Sequence, residues 1–258
     1  MTSWVRYVSA RHGRGFGQLG ENSQIHVYDG DLFDSPKPTD TRVQLADVTL
    51  LSPCQPSKIV ALWNNFHALA EKTGKPVPSH ALFLIKPSTC LNGTRSAIKR
   101  PASYRGKIAF EGELGIVIGK ACRGVSREAA AGHIFGYTCI NDVTAFGLLN
   151  EDPNFAQWTR AKGFDTFGVV GPCIVPEFDW HSACVVTTLN GVERQNYPLA
   201  DMVLEPEVLV SQLSQDMTLL PGDVIACGTS LGAGSMPDGA KVEVTIAGIG
   251  SLANTMNG

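Results

Sequence analysis

The feature that most constrains this chain is a succession of short, strongly apolar β-type segments with little helix between them. From about Lys58 onward they read KIVALW, ALFLIK, LGIVIG, HIFGYTCIND, CVVTTLNG, DVIACG and KVEVTIAGI. They are rich in β-branched and aromatic residues, and clusters of Gly, Pro, Asn and Asp punctuate them. Helical spacing shows in SREAAAGH, where Ser126 is placed to cap and Glu128 lies in the first turn, and in EPEVLVSQLSQ. Strands outnumber helices and do not alternate with them regularly. A mixed, β-rich α+β fold therefore fits better than a doubly wound parallel sheet. Before Lys58 the strands are WVRYVSA, QIHVYDG and TRVQLADVTLL, with DSPKPTD read as a loop and SPCQPS as a linker into a buried strand. At roughly 100–200 residues per domain, the 258 residues divide into a small β-rich unit over 1–57 and a larger domain over 58–258.

Composition excludes several partners. The net charge is −3 and neither half carries a basic run, which argues against nucleic acid or an anionic membrane surface. No run approaches the ~18 apolar residues of a membrane span. The seven Cys are an odd number with no CxxC pair, the usage of reduced thiols in a cytoplasmic protein. The start MTSWVRYVSARHGRG has no apolar stretch behind its charges, so no signal peptide is expected. Without secretion, the glycosylation pattern Asn92-Gly93-Thr94 reads as a turn.

Two glycine motifs mislead. Gly15 to Gly20 satisfies GxGxxG, but the residues after it, ENSQIHVYDG, alternate like a strand where a dinucleotide site needs a helix. A glycine-rich hairpin is the better reading. Gly228 to Gly232 satisfies GxSxG, yet the last His of the chain, His181, lies upstream of Ser230, and a nucleophile elbow requires its His downstream. That segment reads as a loop of close backbone approach.

The segment KIAFEGELGIVIGK carries more chemistry. Glu111 and Glu113 stand two apart at the entrance to an apolar strand, so a period of two places both carboxylates on one face. Two ionised carboxylates that close repel unless a cation or a shared proton lies between them. The strand HIFGYTCIND delivers a third acid, Asp142, at its end. Three carboxylates form a hard-oxygen set suited to Mg²⁺, Mn²⁺ or Ca²⁺ rather than Zn²⁺. On pattern alone, a divalent-metal site and ordinary edge carboxylates both remain open.

The blocks EGELGIVIGK, IFGYTCINDVTA, QWTRAKGFDTFG, LNGVERQ, LLPGDVIACGTSLGAG and IAGIGSLANT follow one another in an order that resembles the fumarylacetoacetate hydrolase superfamily. The resemblance covers about Lys58 to the C-terminus, and the first sixty residues resemble the small β-rich domain of many bacterial members. It implies a mixed-sheet β roll, a homodimer, and a Mg²⁺ or Mn²⁺ site. Glu111 and Glu113 match the two glutamate ligands of the family's ExE motif, and Asp142 matches its aspartate ligand. Lys162 and Thr166 match the lysine and threonine beside the metal. Gly228 and Thr229 match the loop that holds a substrate carboxylate, with Ser230 where the family usually has proline. His67 matches the water-activating histidine of a mobile lid. Its acidic partner is displaced: Ala70 takes the family's glutamate position and Glu71 follows, four residues after His67 and still on one helix face. Phe146 stands where many members carry a substrate-binding arginine, which removes a bidentate clamp and predicts an apolar wall; Arg160, Arg95 or Lys86 are the candidates to replace that charge.

The function implied is C–C bond hydrolysis of a 1,3-dicarbonyl of the acylpyruvate (2,4-diketo acid) type through a metal-stabilised enolate, as in the catabolism of aromatic compounds. Decarboxylation, hydration or isomerisation of unsaturated 2-oxo diacids with the same metal is the alternative. The expected partner is a small oxo acid or diketone.

Overall fold

A computed structural model describes residues 2–258. Its framework is a 12-stranded sheet joined by sheets of five and three strands. The apolar segments of the sequence form its central strands: Lys58–Leu62, Phe83–Pro87, Gly112–Ile118, Ile134–Asp142, Gly168–Val175 and Val224–Ala226. Every residue of Gly112–Ile118 is buried, as a strand apolar on both faces requires. Parallel and antiparallel ladders mix: Val224–Ala226 runs antiparallel to Gly112–Ile118 and parallel to Lys58–Leu62. The α+β expectation holds. The one long helix, Pro206–Asp216, starts with Pro at its first position and packs Leu209, Val210 and Leu213 inward. Ser126 does cap, accepting from the Ala129 N–H at 3.4 Å, although the helix it opens spans only Arg127–Ala130.

The sheet rolls up. Phe83–Pro87 lies at the end of the strand order, four places from Ile134–Asp142. In a flat sheet, strands 4.7–4.9 Å apart would separate the two by about 19 Å, beyond the reach of any side chain. Yet the Lys86 ammonium contacts the Asp142 carboxylate. Closure leaves an interior packed with Ile59, Ala61, Leu84, Val117, Ile140, Val224 and Ala226, and brings the ends of several strands to one mouth.

The N-terminal strands Ser3–Ser9, Gly13–Leu19, Gln24–Asp31 and Asp34–Gln44 form an antiparallel meander. Ser3–Ser9 continues the main sheet by pairing Trp4 with Ile174. The GxGxxG run is one of these hairpin strands, as read. At Gly17 an added Cβ would lie 2.0 Å from the His26 carbonyl oxygen, so glycine there serves close strand packing. One expectation fails: DSPKPTD is part of the strand Asp34–Gln44 rather than a loop. The strand is the outer edge of the sheet and is broken by register shifts. Pro36 and Pro38 are tolerated because an edge strand does not need every N–H for a ladder. Among the described residues no helix is long and apolar enough to cross a membrane. The cysteines are free and all but Cys184 are buried.

Candidate active site

At the mouth of the roll, one carboxylate oxygen each from Glu111, Glu113 and Asp142 lies within 4.8 Å of the others. The backbone explains the cluster. Glu111 occupies a one-residue break between the strands Ile108–Phe110 and Gly112–Ile118, and Glu113 is the second residue of the buried run. The Asp142 N–H donates to the Glu111 carbonyl at 2.9 Å, while the Glu111 N–H donates to Asn141 Oδ1 at 3.1 Å. The Asn-Asp pair thus clamps the break that aims Glu111.

Two buried ammoniums balance these acids. Lys162, from the short helix Trp158–Lys162, donates to Glu111 Oε2 at 2.8 Å and to Asp142 Oδ2 at 2.5 Å. Lys86 binds the other Asp142 oxygen and donates to the Phe167 carbonyl at 3.0 Å. Lys86 and Lys162 are 1% and 3% exposed, a depth at which unpaired charge is not tolerated. Burial alone would raise the Asp142 carboxyl, but Lys162 and then Lys86 outweigh it and hold its pKa below the ordinary range. For Lys162, burial opposes the charge, and Asp142 with Glu111 overcomes it and raises the pKa. Glu113 is the opposite case: burial first, then the neighbouring Asp142 charge, pushes its carboxyl well above the ordinary value.

Glu113 Oε2 accepts from the Gly228 N–H at 2.8 Å, whereas Glu113 Oε1 is buried with no partner in the protein. Gly228 adopts φ +89°, open to glycine at little cost, and this turns its N–H toward the carboxylate. Thr229 donates to the Gly112 carbonyl at 3.0 Å and accepts from Gln195 at 2.8 Å. Tyr197, whose hydroxyl donates to the same Gly112 carbonyl at 2.6 Å, is held in the neutral form mainly by burial.

Some residues lie where the sequence did not put them. Thr166 accepts from the Lys99 N–H at 2.8 Å. The hydroxyl that reaches the cluster is that of Thr144, which donates to Glu111 Oε1 at 2.7 Å. Arg160 forms an exposed pair with Glu151, and Arg95 lines a separate groove with Lys241 and Asn254 on the five-stranded sheet. Phe146 is 59% exposed on the turn Phe146–Leu148. His67 opens the helix His67–Thr73; it and Glu71 are exposed. The start of that helix is anchored at the site, because Asn65 donates to the Cys227 carbonyl at 2.9 Å and Asp201 accepts from the Ala68 N–H at 3.0 Å. Sequence reasoning missed Lys86 as a member of the cluster and Thr144 altogether. A lysine inside the apolar strand FLIKP was the available signal for Lys86.

A β roll with a Glu-Glu-Asp cluster at its mouth, able to hold a metal ion, is the frame of an enzyme site. The pattern of the family described as fumarylacetoacetate (FAA) hydrolase C-terminal matches residues 58–257, and that of the Rv2993c-like N-terminal domain matches residues 3–53. The chain belongs to the fumarylacetoacetate hydrolase family. It is 41% identical to Protein Rv2993c of Mycobacterium tuberculosis, over 92% of this chain and 90% of the relative. It is 33% identical to oxaloacetate tautomerase YisK of Bacillus subtilis, over 81% of this chain and 73% of that protein. Its fold superimposes on a 2-hydroxyhepta-2,4-diene-1,7-dioate isomerase from Mycobacterium marinum with a TM-score of 0.90 and 36% identity, covering 100% of this chain and 98% of the other.

Proposed function

We propose that this protein is a divalent-metal-dependent enzyme that hydrolyses a C–C bond in a 1,3-dicarbonyl of the acylpyruvate type. The buried charge pattern carries this reading. Three carboxylates and two ammoniums sum to −1 when all are ionised. A dication brings the centre to +1, which matches the single carboxylate of an oxo acid. The residues fit such an ion: Glu113 Oε1 is a buried acceptor without a partner, and the donors are all hard oxygens, the set that Mg²⁺ or Mn²⁺ takes. Glu111, Glu113 and Asp142 would hold it. The ion would supply Lewis acidity toward the oxygens of a 2-oxo acid.

The chain's own groups do the rest. Lys162, fixed by two carboxylates, presents a permanent positive charge where an enolate develops. Gly228 and Thr229 form the wall against which the substrate carboxylate sits. In this reading His67, on the helix whose start is anchored beside the site, takes the proton of the attacking water, and Glu71 orients it from one turn further along.

The oxaloacetate tautomerase and the heptadienedioate isomerase among the similar proteins support a second reading, tautomerisation or isomerisation of a 2-oxo acid, which needs proton transfer at carbon but no attacking water. Isotopes separate the two. The purified protein with Mg²⁺ or Mn²⁺ is incubated with acylpyruvates, oxaloacetate and a hydroxymuconate-type acid in H₂¹⁸O or D₂O. Hydrolysis yields two fragments, one carrying ¹⁸O. Isomerisation yields an uncleaved acid with accelerated deuterium uptake at carbon. Uncleaved, deuterated product alone would replace the hydrolytic reading with the second. Inactivity toward the whole panel would overturn both.

A further inference from the structure

We propose that the cavity lined by Trp63, Ala81, Leu82, Phe83, Leu84 and Trp158 is a subsite for an aromatic substituent on the substrate. The inference rests on the oxo-acid reading for what occupies the charged centre. The preference of the cavity for an aryl group can be tested without turnover.

The cavity measures about 380 Å³, within the range of small-ligand pockets. Trp63 and Trp158 are both half-buried, with ring centroids 5.8 Å apart and planes tilted by 56°. Phe83 beside them is 37% exposed. Lys75 Nζ sits 5.2 Å from the centroid of the Trp63 ring, a cation–π contact that helps fix the ring. Adjoining, partly uncovered indoles present apolar faces that a further ring would cover in offset or edge-on contact.

Register and alternation join this cavity to the carboxylates. Gly115 pairs with Ala226, and Ala226 with Ala61. Beyond the ends of these ladders the Gly228 N–H donates to Glu113 and the Trp63 N–H donates to the Leu82 carbonyl at 2.8 Å, so extending the register by two residues brings Glu113, Gly228 and Trp63 toward one row. Ala61 and Leu84 face the roll interior, so alternation places Trp63 and Lys86 on that face too, and Trp158 packs against the same interior.

Two independent yardsticks give the backbone spacing between residues that line the cavity and the two lysines of the charged centre. Leu84 and Lys86 are two residues apart on one strand, about 6.6 Å. Trp158 and Lys162 are four residues apart on one helix, about 6 Å. Both ammoniums bind Asp142. In an acylpyruvate the substituent begins four carbon–carbon bonds from the carboxyl carbon. With its oxo acid end at the centre, that substituent extends over the distance to the tryptophans. Phe146, the residue that the sequence marked for an apolar wall, is not among the lining residues.

The test uses two 2-oxo acids that lack the cleavable second carbonyl, 2-oxo-4-phenylbutanoate and 2-oxobutanoate, titrated into the Mg²⁺-loaded protein by calorimetry. The aryl acid should bind at least about tenfold more tightly to the wild type, the scale of one aromatic contact plus its buried area. In Trp63→Ala and in Trp158→Ala the ratio should fall to within about threefold. Trp63→Leu and Trp158→Leu, which keep more of the packing, should show the same loss if the alanine variants fold poorly. Ring binding should also quench tryptophan emission in the wild type. In turnover, the kcat/KM ratio of benzoylpyruvate to acetylpyruvate should fall in the variants by a similar factor. A shifted binding ratio with no turnover of either acylpyruvate would overturn the catalytic reading and leave the subsite standing. Equal affinities in the wild type, or a ratio untouched by all four variants, would overturn the subsite. So would variants that change only the oligomer mass by light scattering, since the cavity would then be a contact between copies.

Discussion

The inner and outer parts of the proposed site are built on different principles. The inner part is a charge cluster set in strands, with Asp142 tied to two ammoniums and Glu113 fully buried. Its geometry is tightly determined, because strand pairing sets Glu113 and Asp142, the Asn141 clamp sets Glu111, and two ammoniums hold Asp142. The outer part is one seven-residue helix carrying exposed His67 and Glu71, attached through Asn65 and Asp201 at its start. A helix that short has little stability of its own. The inner residues therefore couple binding to folding, whereas the outer ones can be altered, or move, without disturbing the core.

Four experiments probe that contrast. Asp142→Ala strands Lys86 in the interior, leaves Lys162 with Glu111 alone, and should cost about 3–5 kcal/mol in denaturant unfolding, with divalent binding lost by calorimetry. A stable, metal-binding Asp142→Ala protein would abolish the distinction between the two parts. His67→Ala should leave stability within about 0.5 kcal/mol of wild type. Metal affinity should also be kept while hydrolytic turnover falls by about 10²–10⁴. Loss of metal binding in that variant would move His67 to the inner group.

Lys86→Met leaves Asp142 with Lys162 alone and should destabilise the metal-free protein by about 2 kcal/mol. Saturating Mg²⁺ should restore part of this, since a ligand that binds only the folded state stabilises it. The smallest effect concerns pH. The raised Glu113 carboxyl holds a proton above the ordinary carboxylate range, and that proton must leave before the oxygen can ligate. Mg²⁺ affinity should rise with pH by up to about tenfold per unit and level off once the raised value is passed. Glu113→Gln should bind more weakly and lose that dependence. A wild type with flat affinity across the range would show that Glu113 is already ionised in the metal-free protein.

The carboxylate cluster was legible because its rule is local. A period of two joins Glu111 to Glu113, and the end of an apolar strand delivers Asp142. The buried strands and the helix over EPEVLVSQLSQ were legible for the same reason. Lys86 was harder to place because its partner lies 56 residues away, on a strand that only the rolled sheet brings within reach. Thr144 was not singled out because nothing local marks its hydroxyl as reaching back to Glu111. The hydroxyl at Thr166 is turned to Lys99 by a positive φ of 70°, which no spacing rule encodes. The strand containing DSPKPTD was missed because its two prolines are forbidden only in a central strand, and its edge position follows from topology.

The contact between Lys86 and Asp142 has a consequence for how the chain reaches its native state. It is a seam between the last strand of the sheet and one near its middle, and the strands between them come from chain segments as distant as 58–62 and 224–226. Such non-local pairings form late, because the entropy of closing long loops is spent before their contacts reward it. Until the seam closes, Asp142 lacks one of its two cations. Adjacent strands already bring the three acids together, so the seam adds the second cation to a cluster that has formed, and full charge balance at Asp142 reports the finished topology.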